Sequence, residues 1–285
     1  MTKKIIALLL IAASLLTLFA CGKKNNENEV ASQELKMKFF KMGRASCTVF
    51  RIADKTVMID TGDEEKYDKI VEYLVEKGIS HIDTLIVTSL SKKNIGGLSA
   101  ILGTATIGEV YIPAYAKSSG TYLTFENALS SAGLTPKKVS ETTTVNVAEL
   151  ELTLYPPTKD YSNAADINDE ANSIVIEAKH GATLMLLTSK INGERLTEIA
   201  DMFKDKKYSL VTVPNYGIYD ANLEALFGAI KTDYAVVVTS NTNPLPAETE
   251  NVLKGAGLDM AKLFNTVNGS VEASSLGRGI NDIKN

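Results

Sequence analysis

The chain has few of the residues that build covalent cross-links or metal clusters. Its 285 residues include two cysteines, Cys21 and Cys47, and two histidines, His81 and His180. Cys21 directly follows an N-terminal apolar segment, which leaves Cys47 without a partner for an intramolecular disulfide. A cysteine nucleophile needs a nearby histidine, and neither histidine is close to Cys47 in the sequence. We therefore expect Cys47 to be a small buried core residue.

The chain also lacks a basic excess and a long apolar run. Its formal charge is −4, and it becomes −6 if residues 1–20, which hold two lysines, are removed. Phosphate contacts need a basic surface, so nucleic acid is not an expected partner. The apolar run at residues 5–20 is too short for a comfortable membrane span. Because two lysines precede it, it is typical of a signal peptide.

The end of this run, Leu18-Phe19-Ala20-Cys21, resembles the lipobox of bacterial lipoproteins. The resemblance implies that Cys21 is lipidated and holds the protein on the outer side of a bacterial membrane, since two or more acyl chains anchor stably. An ordinary signal peptide with an incidental cysteine is the alternative. We predict a lipoprotein signal peptide at residues 1–20, a polar tether at 21–35 and one domain at 36–285.

Strand and helix patterns alternate along the rest of the chain. The hairpin pattern "CTVFRIADKTVMID" precedes a helical pattern, and "SIVIEAKHGATLMLLTS" followed by "GERLTEIADMF" repeats this order. The pattern "TTVNVAELELTLYPP" predicts a hairpin that ends the first half. The Asp- and Asn-rich residues 158–172 predict a surface loop. Two similar halves predict an α/β sandwich of two mixed sheets flanked by helices.

Several local motifs resemble one known family. The segment "KMGRASCTVFRIADKTVMIDTG" follows the pattern "DVGQGDSxLIxxxxGxxxLIDxG", with Lys41 and Ser46 in place of two aspartates, and "GISHIDTLIVTS" follows "GIxxIDxLIxTH". These patterns resemble the metallo-β-lactamase fold, in particular the extracytoplasmic domain of ComEC-type competence proteins. The resemblance extends over nearly all of the chain from Met37 and implies an αββα sandwich.

The resemblance also implies where a metal site would lie. The family motif Thr-His-x-His-x-Asp-His-x-Gly-Gly corresponds here to "TSLSKKNIGG" at residues 88–97. A bridging aspartate corresponds to Lys190, and a histidine of the "HHG" segment corresponds to Asn215 or Tyr216. The replaced ligand positions are Ser89, Ser91, Lys93, Asn94, Lys190 and Asn215 or Tyr216.

The replacements are unsuitable for a metal centre. Zinc prefers imidazole, thiolate and carboxylate ligands, and the ammonium groups of Lys93 and Lys190 would repel a dication. We expect no metal, no cofactor and no catalytic residue. Asp60 can be interpreted as a catalytic carboxylate, but a buried turn residue is the favoured interpretation, with Gly62, Gly96 and Gly97 as structural turn positions. We expect His81 and His180 to lie at the surface or beside a site.

The leading hypothesis is a membrane-anchored binding protein. Lys93 and Lys190 would face one vacated pocket with Ser89, Ser91, Asn94 and Asn215, and lysine and hydroxyl donors suit a small anion. An envelope partner, or an unused site, is the alternative within this class. The alternative from another class is a metal-dependent hydrolase of the phosphodiesterase or nuclease type, linked by family resemblance to DNA uptake.

Overall fold

The computed structural model describes residues 31–161 and 168–285, which form two β-sheets packed face to face with helices outside both. The predicted signal peptide and Cys21 lie outside the described residues, so these assignments stay predictions. None of the helices in the described ranges is both long and apolar enough to cross a membrane.

The first sheet has eight strands. They are β1 Leu35–Phe39, β2 Thr48–Ile52, β3 Lys55–Ile59, β4 His81–Ile86, β5 Thr106–Pro113, β6 Lys137–Val139, β14 Val271–Ser275 and β15 Asp282–Lys284. Their order across the sheet is β15-β14-β1-β2-β3-β4-β5-β6. Strands β2 and β3 form an antiparallel hairpin, whereas β3 to β6 run parallel. The sheet is therefore mixed.

The second sheet has seven strands. They are β7 Thr143–Val147, β8 Leu150–Tyr155, β9 Val175–His180, β10 Thr183–Leu187, β11 Lys207–Thr212, β12 Lys231–Val237 and β13 Leu263–Asn265. Their order is β13-β12-β11-β10-β9-β8-β7. Strands β9 and β10 pair antiparallel, and β10, β11 and β12 run parallel. A hairpin therefore leads into parallel strands in both sheets.

Helices cover the outer face of each sheet. Four follow the first hairpin: α1 Asp68–Glu76, α2 Lys92–Ile95, α3 Leu98–Leu102 and α4 Gly120–Ser131. Three lie against the second sheet: α5 Glu194–Met202, α6 Leu223–Ala229 and α7 Ala247–Gly255. In α1 the buried side chains are those of Ile70, Tyr73 and Leu74, at the spacing of one helix face.

Apolar side chains fill three layers. Phe50 and Met185 belong to the layer between the sheets, Leu74 to the layer under α1, and Phe203 to the layer under α5. These layers and the sheet order confirm the predicted αββα sandwich.

The structure differs from the sequence prediction at the borders of the two halves. The hairpin of β7 and β8, predicted to end the first half, belongs to the second sheet. The segment 262–274 divides between sheets: β13 pairs with β12, whereas β14 pairs with β1. The helical residues between 92 and 102 divide between α2 and α3. Periodicity predicts an element's type, but pairing partners depend on contacts distant in sequence.

Cys47 and His180 are both buried. Cys47 is 3% exposed, as predicted, and burial together with nearby Asp60 raises the pKa of its thiol, so it stays protonated. The surface position expected for His180 is wrong, because its side chain is 0% exposed. Its Nε2 lies 3.0 Å from the carbonyl oxygen of Gln33. His180 belongs to the end of β9 that pairs with the start of β10, away from the loops after β10.

Candidate functional site

Four loops that follow parallel strands meet at one end of the sandwich. Asp60 follows β3, residues 87–91 follow β4, Ser189 and Lys190 follow β10, and residues 213–217 follow β11. The carboxyl ends of parallel strands share one edge, which is where α/β folds usually place binding sites. The loops come from both sheets, so the site lies between the two halves of the chain.

Asp60 is the centre of a buried hydrogen-bond network. Its side chain is 1% exposed, and Oδ1 accepts the backbone N–H of Thr88 at 2.7 Å. Oδ2 accepts from Thr88 Oγ1 at 2.8 Å and from Asn94 Nδ2 at 2.7 Å. Thr88 Oγ1 lies 2.6 Å from Ser189 Oγ, which extends the network to the second half. We call Asp60, Thr88, Asn94 and Ser189 the inner network.

Burial dominates the protonation of Asp60. Removal from water raises the pKa of its carboxyl to about 6, and hydrogen bonds from Thr88, Ser46 and Asn94 oppose the rise. Asp60 also has a left-handed backbone, with φ of 61°. Both oxygens accept hydrogen bonds within the protein, so the carboxylate holds the loops together.

Two glycines let α2 and α3 pack against the loop after β3. A Cβ atom at Gly97 would lie 2.1 Å from the carbonyl oxygen of Thr61, and one at Gly96 would lie 2.5 Å from the backbone nitrogen of Glu64. Gly96 N–H donates to the carbonyl of Gly62, and Thr61 N–H donates to that of Asn94. The Gly-Gly pair therefore provides the close approach that keeps Asn94 next to Asp60.

Lys190 connects the two halves through polar contacts. It is 5% exposed, its Nζ lies 2.7 Å from Glu170 Oε1, and it donates to Ser91 Oγ at 3.1 Å. Ser91 Oγ in turn donates to Asn94 Oδ1 at 2.7 Å. The carboxylate of Glu170 therefore compensates the charge of Lys190, and neighbouring Lys190 lowers the pKa of Glu170 against the effect of burial.

The segment Pro214–Gly217 has an unusual backbone. Asn215, Tyr216 and Gly217 all have positive φ, at 45°, 58° and 70°. Left-handed backbone is costly for tyrosine, so the surrounding contacts must impose it. Tyr216 is 6% exposed, and its buried hydroxyl has no hydrogen-bond partner among the described residues. The tight turn places the Tyr216 ring between the two halves.

Tyr216 lines two cavities. A small inner one, of about 50 Å³, is also lined by Asp60, Thr88 and Ser189. A larger outer one, of about 250 Å³, is also lined by Arg44, Ser91, Lys92, Lys93, Asp169, Glu170, Lys190, Asn215 and Ile218. We call the larger one the outer cleft. Lys93 Nζ and Lys190 Nζ lie 5.5 Å and 6.0 Å from the centroid of the Tyr216 ring.

Lys93 is a half-buried lysine in this cleft. Burial lowers the pKa of its amine, and the neighbouring charges of Lys190 and Arg44 lower it further, while Asp63 opposes this. The ion pairs found among the described residues include neither Lys93, Lys92 nor Arg44. The Nε–H of Arg44 is buried without a hydrogen-bond partner in the described structure. The outer cleft thus holds more positive charge than its own acids compensate.

The structure brings together most of the residues that the family motif singles out. Ser91, Lys93, Lys190, Asn215 and Tyr216 line the outer cleft. Two others point elsewhere: Asn94 donates inward to Asp60, and Ser89 donates to the carbonyl of Asp169 at 3.3 Å. Both are 0% exposed, so they stabilise loops and do not face a ligand.

These side chains do not fit a divalent metal. The described residues contain no group of three or more histidine, cysteine, aspartate or glutamate side chains able to hold one. The carboxylate of Asp60 already accepts hydrogen bonds from Thr88 and Asn94, and Lys190 lies where a neutralising ligand would be needed. Hydroxyl and amide groups are weak ligands for zinc. These residues therefore offer no suitable ligand set for metal-dependent chemistry.

Three residues contribute contacts to the site that have no local signal in the sequence. Arg44 follows the matching glycine Gly43, and only the fold places it beside Lys93. Glu170 comes from the Asp- and Asn-rich segment, which has no periodicity to fix its position. Tyr115 accepts the N–H of Leu90 at 2.7 Å and donates to Asp169 at 2.8 Å. No local pattern predicts these contacts.

Comparisons with known proteins identify the fold. No family model and no curated protein matches the sequence. Among solved structures, the metallo-β-lactamase fold protein YhfI from Bacillus subtilis matches with a TM-score of 0.52 and 9% identity, over 82% of this chain and 96% of that one. Tm1679, described as a metal-dependent hydrolase of the β-lactamase superfamily, matches with a TM-score of 0.53 and 13% identity, over 81% and 95% of the two chains.

A third similar structure is that of an enzyme whose stated activity differs from that of Tm1679. CmlA, a diiron β-hydroxylase from Streptomyces venezuelae, matches with a TM-score of 0.50 and 13% identity, over 83% of this chain and 53% of that one. At such identities the likeness shows the fold alone. The chain has a metallo-β-lactamase fold, and its own residues must be the basis for its function.

Proposed function

We propose that the chain is an exported lipoprotein, anchored to a bacterial membrane through Cys21, whose domain binds a small anion in the outer cleft. One observation supports this most strongly: Arg44, Lys92 and Lys93 line one cleft, and none belongs to an ion pair within the described residues. Like charges repel when they share a site, and an anionic ligand would relieve this repulsion.

The donors of the cleft suit phosphate or carboxylate groups. Guanidinium and ammonium groups make short, charge-assisted hydrogen bonds to such oxygens, and Arg44 has an unused Nε–H. The volume of about 250 Å³ is small for a ligand pocket, which favours a compact anion. The tests below use inorganic phosphate and a small dicarboxylate.

Other functions fit these residues less well. Metal-dependent hydrolysis, the activity stated for Tm1679, needs metal ligands, and this site has lysine and serine in their place. The ComEC-type resemblance rests on sequence motifs, and a role in DNA uptake conflicts with the acidic charge of −6 left after residues 1–20 are removed. The alternative is an envelope protein as partner. Absence of anion binding in the titration below would favour this alternative.

The test is calorimetric titration of the full-length protein in detergent. Wild type should bind phosphate or a dicarboxylate, and Lys93→Ala should weaken binding about tenfold or more, since a hydrogen bond to a charged group contributes about 1.5–3 kcal/mol. Lys231→Ala, an exposed lysine at the start of β12, serves as control and should leave the affinity unchanged. Equal affinity in all three proteins would remove the proposal.

The membrane anchor has its own test. Cys21→Ser should move the protein from the membrane fraction to the soluble fraction and abolish incorporation of a labelled fatty acid. Cys47→Ser, at the other cysteine, should leave both unchanged. Membrane retention of Cys21→Ser would contradict the anchor.

A further inference from the structure

Lys93 differs from the other lysine that lies deep in the outer cleft. Lys190 has a carboxylate partner at 2.7 Å, whereas no ion pair within the described residues includes Lys93. Burial and two neighbouring cations act on the amine of Lys93. A lysine that is desolvated beside other cations is one of the known arrangements for an amine nucleophile.

The groups that face Lys93 come from its own helix and from four other segments. Lys190 and Arg44 disfavour its ammonium form, Lys92 acts in the same direction with a smaller effect, and Asp63 opposes them. The Tyr216 ring, with its centroid 5.5 Å away, also favours the ammonium form, as aromatic rings do. Burial and the cations prevail, since the pKa of Lys93 is lowered overall.

We infer that the outer cleft accepts small carbonyl compounds that carry an anionic group, such as keto acids or phosphorylated aldehydes, and that Lys93 forms a reversible imine with them. The inference rests on the proposed anion binding. Arg44 and Lys92, which belong to no ion pair within the described residues, would hold the anionic group, and the cleft would place the carbonyl carbon beside Nζ of Lys93.

The chemistry balances without an oxidant or metal. The neutral Nζ donates its electron pair to the carbonyl carbon, and the carbonyl oxygen takes up a proton from water. The resulting carbinolamine loses one proton from nitrogen and one water molecule, which leaves a C=N bond. One amine and one carbonyl group give one imine and one water, and hydrolysis reverses the reaction. Water reaches the amine because Lys93 is only half-buried.

Pyridoxal 5′-phosphate is a suitable probe, because it combines an aldehyde with a phosphate. The full-length protein is incubated with the probe at neutral pH and reduced with borohydride, and the labelled lysines are mapped by peptide mass spectrometry. We expect Lys93 to be labelled several-fold faster than the exposed Lys231, since burial and neighbouring cations lower the pKa of the Lys93 amine and so raise its neutral fraction. Excess inorganic phosphate should slow labelling at Lys93 alone.

Two variants separate the imine from simple anion binding. Lys93→Arg keeps the positive charge, so it should retain phosphate affinity but lose the labelled peptide, whereas Lys231→Ala, outside the cleft, should retain both. Uniform labelling of the lysines in a wild-type protein that binds phosphate would overturn the imine and leave anion binding intact. Absence of both phosphate binding and selective labelling would overturn the two proposals together.

Discussion

The Tyr216 ring lies between the inner cavity, which residues of the inner network line, and the outer cleft. The polar groups of the two regions differ in whether they have partners within the protein. In the inner network, both oxygens of Asp60 and both polar atoms of the Asn94 amide have hydrogen-bond partners. In the outer cleft, the Nε–H of Arg44 is buried without a partner within the described chain, and Lys93 has cations as its main neighbours. The inner network therefore holds the fold together, whereas the outer cleft leaves donors for the anion that we propose.

Removing the acceptor of the inner network should have the largest effect on stability. Asp60→Ala leaves the N–H of Thr88 and the amide of Asn94 buried without an acceptor, and each such loss costs about 1–3 kcal/mol. We expect the free energy of unfolding to fall by about 3–5 kcal/mol in urea denaturation. Asp54→Ala, in the exposed turn between β2 and β3, should change it by less than about 0.5 kcal/mol. Similar values for both variants would refute the role of the inner network.

The same carboxyl should make stability depend on pH. The pKa of the Asp60 carboxyl, about 6, exceeds the ordinary value of 3.8. Between these two pH values the folded protein keeps the Asp60 proton, whereas the unfolded chain has lost it. The contribution of Asp60 is therefore fully present below about pH 4 and is lost as pH rises through about 6, by about 3 kcal/mol. The difference in unfolding free energy between wild type and Asp60→Asn, measured from pH 4 to 7, isolates this contribution. A constant difference would contradict it.

A steric change tests how closely the loops pack. Gly97→Ala places a methyl group against the carbonyl of Thr61 and should destabilise the protein by about 1–3 kcal/mol. Gly228→Ala, in α6, meets no atom within 4 Å and should stabilise by up to about 1 kcal/mol, since alanine favours helix. Thermal unfolding would compare the two variants. Equal melting temperatures would mean that the close approach at Gly97 contributes nothing.

Substitution of the two buried or half-buried lysines of the outer cleft should have the smallest effects on stability. Lys190→Ala leaves Glu170 and Ser91 without their contact and should cost about 1–2 kcal/mol. Lys93→Ala removes a repelled cation and should change stability by less than about 0.5 kcal/mol, although it weakens phosphate binding. A larger loss of stability for Lys93→Ala than for Lys190→Ala would place Lys93 among the structural residues.

Much of the fold was predictable because local periodicity determines it. The hairpin-then-helix order is present in the sequence of each half, and β3 and β10 occupy equivalent positions in the two sheets. The partner of β1 was not predictable, because Phe39 pairs with Val271 across more than 200 residues. Side-chain periodicity contains no information about which distant strand completes an edge.

The sequence motif predicts which loops form the candidate site, but not the contacts of their side chains. The motif positions placed Lys93, Lys190 and Tyr216 near one another, and the structure has all three at the outer cleft. The direction of Ser89, which hydrogen-bonds to a distant carbonyl, and the approach of Arg44 depend on tertiary packing. The contacts of the individual side chains, and so which of them remain available to a ligand, are known only from the structure.

The most direct test of the central claim is the metal content of the full-length protein after incubation with zinc or manganese and removal of unbound metal. The proposed exchange of a cation site for an anion site predicts a metal-to-protein ratio far below one, unchanged in Lys93→Ala. A stoichiometric ratio that falls when residues of the inner network are substituted would contradict the account and favour a metal-dependent hydrolase.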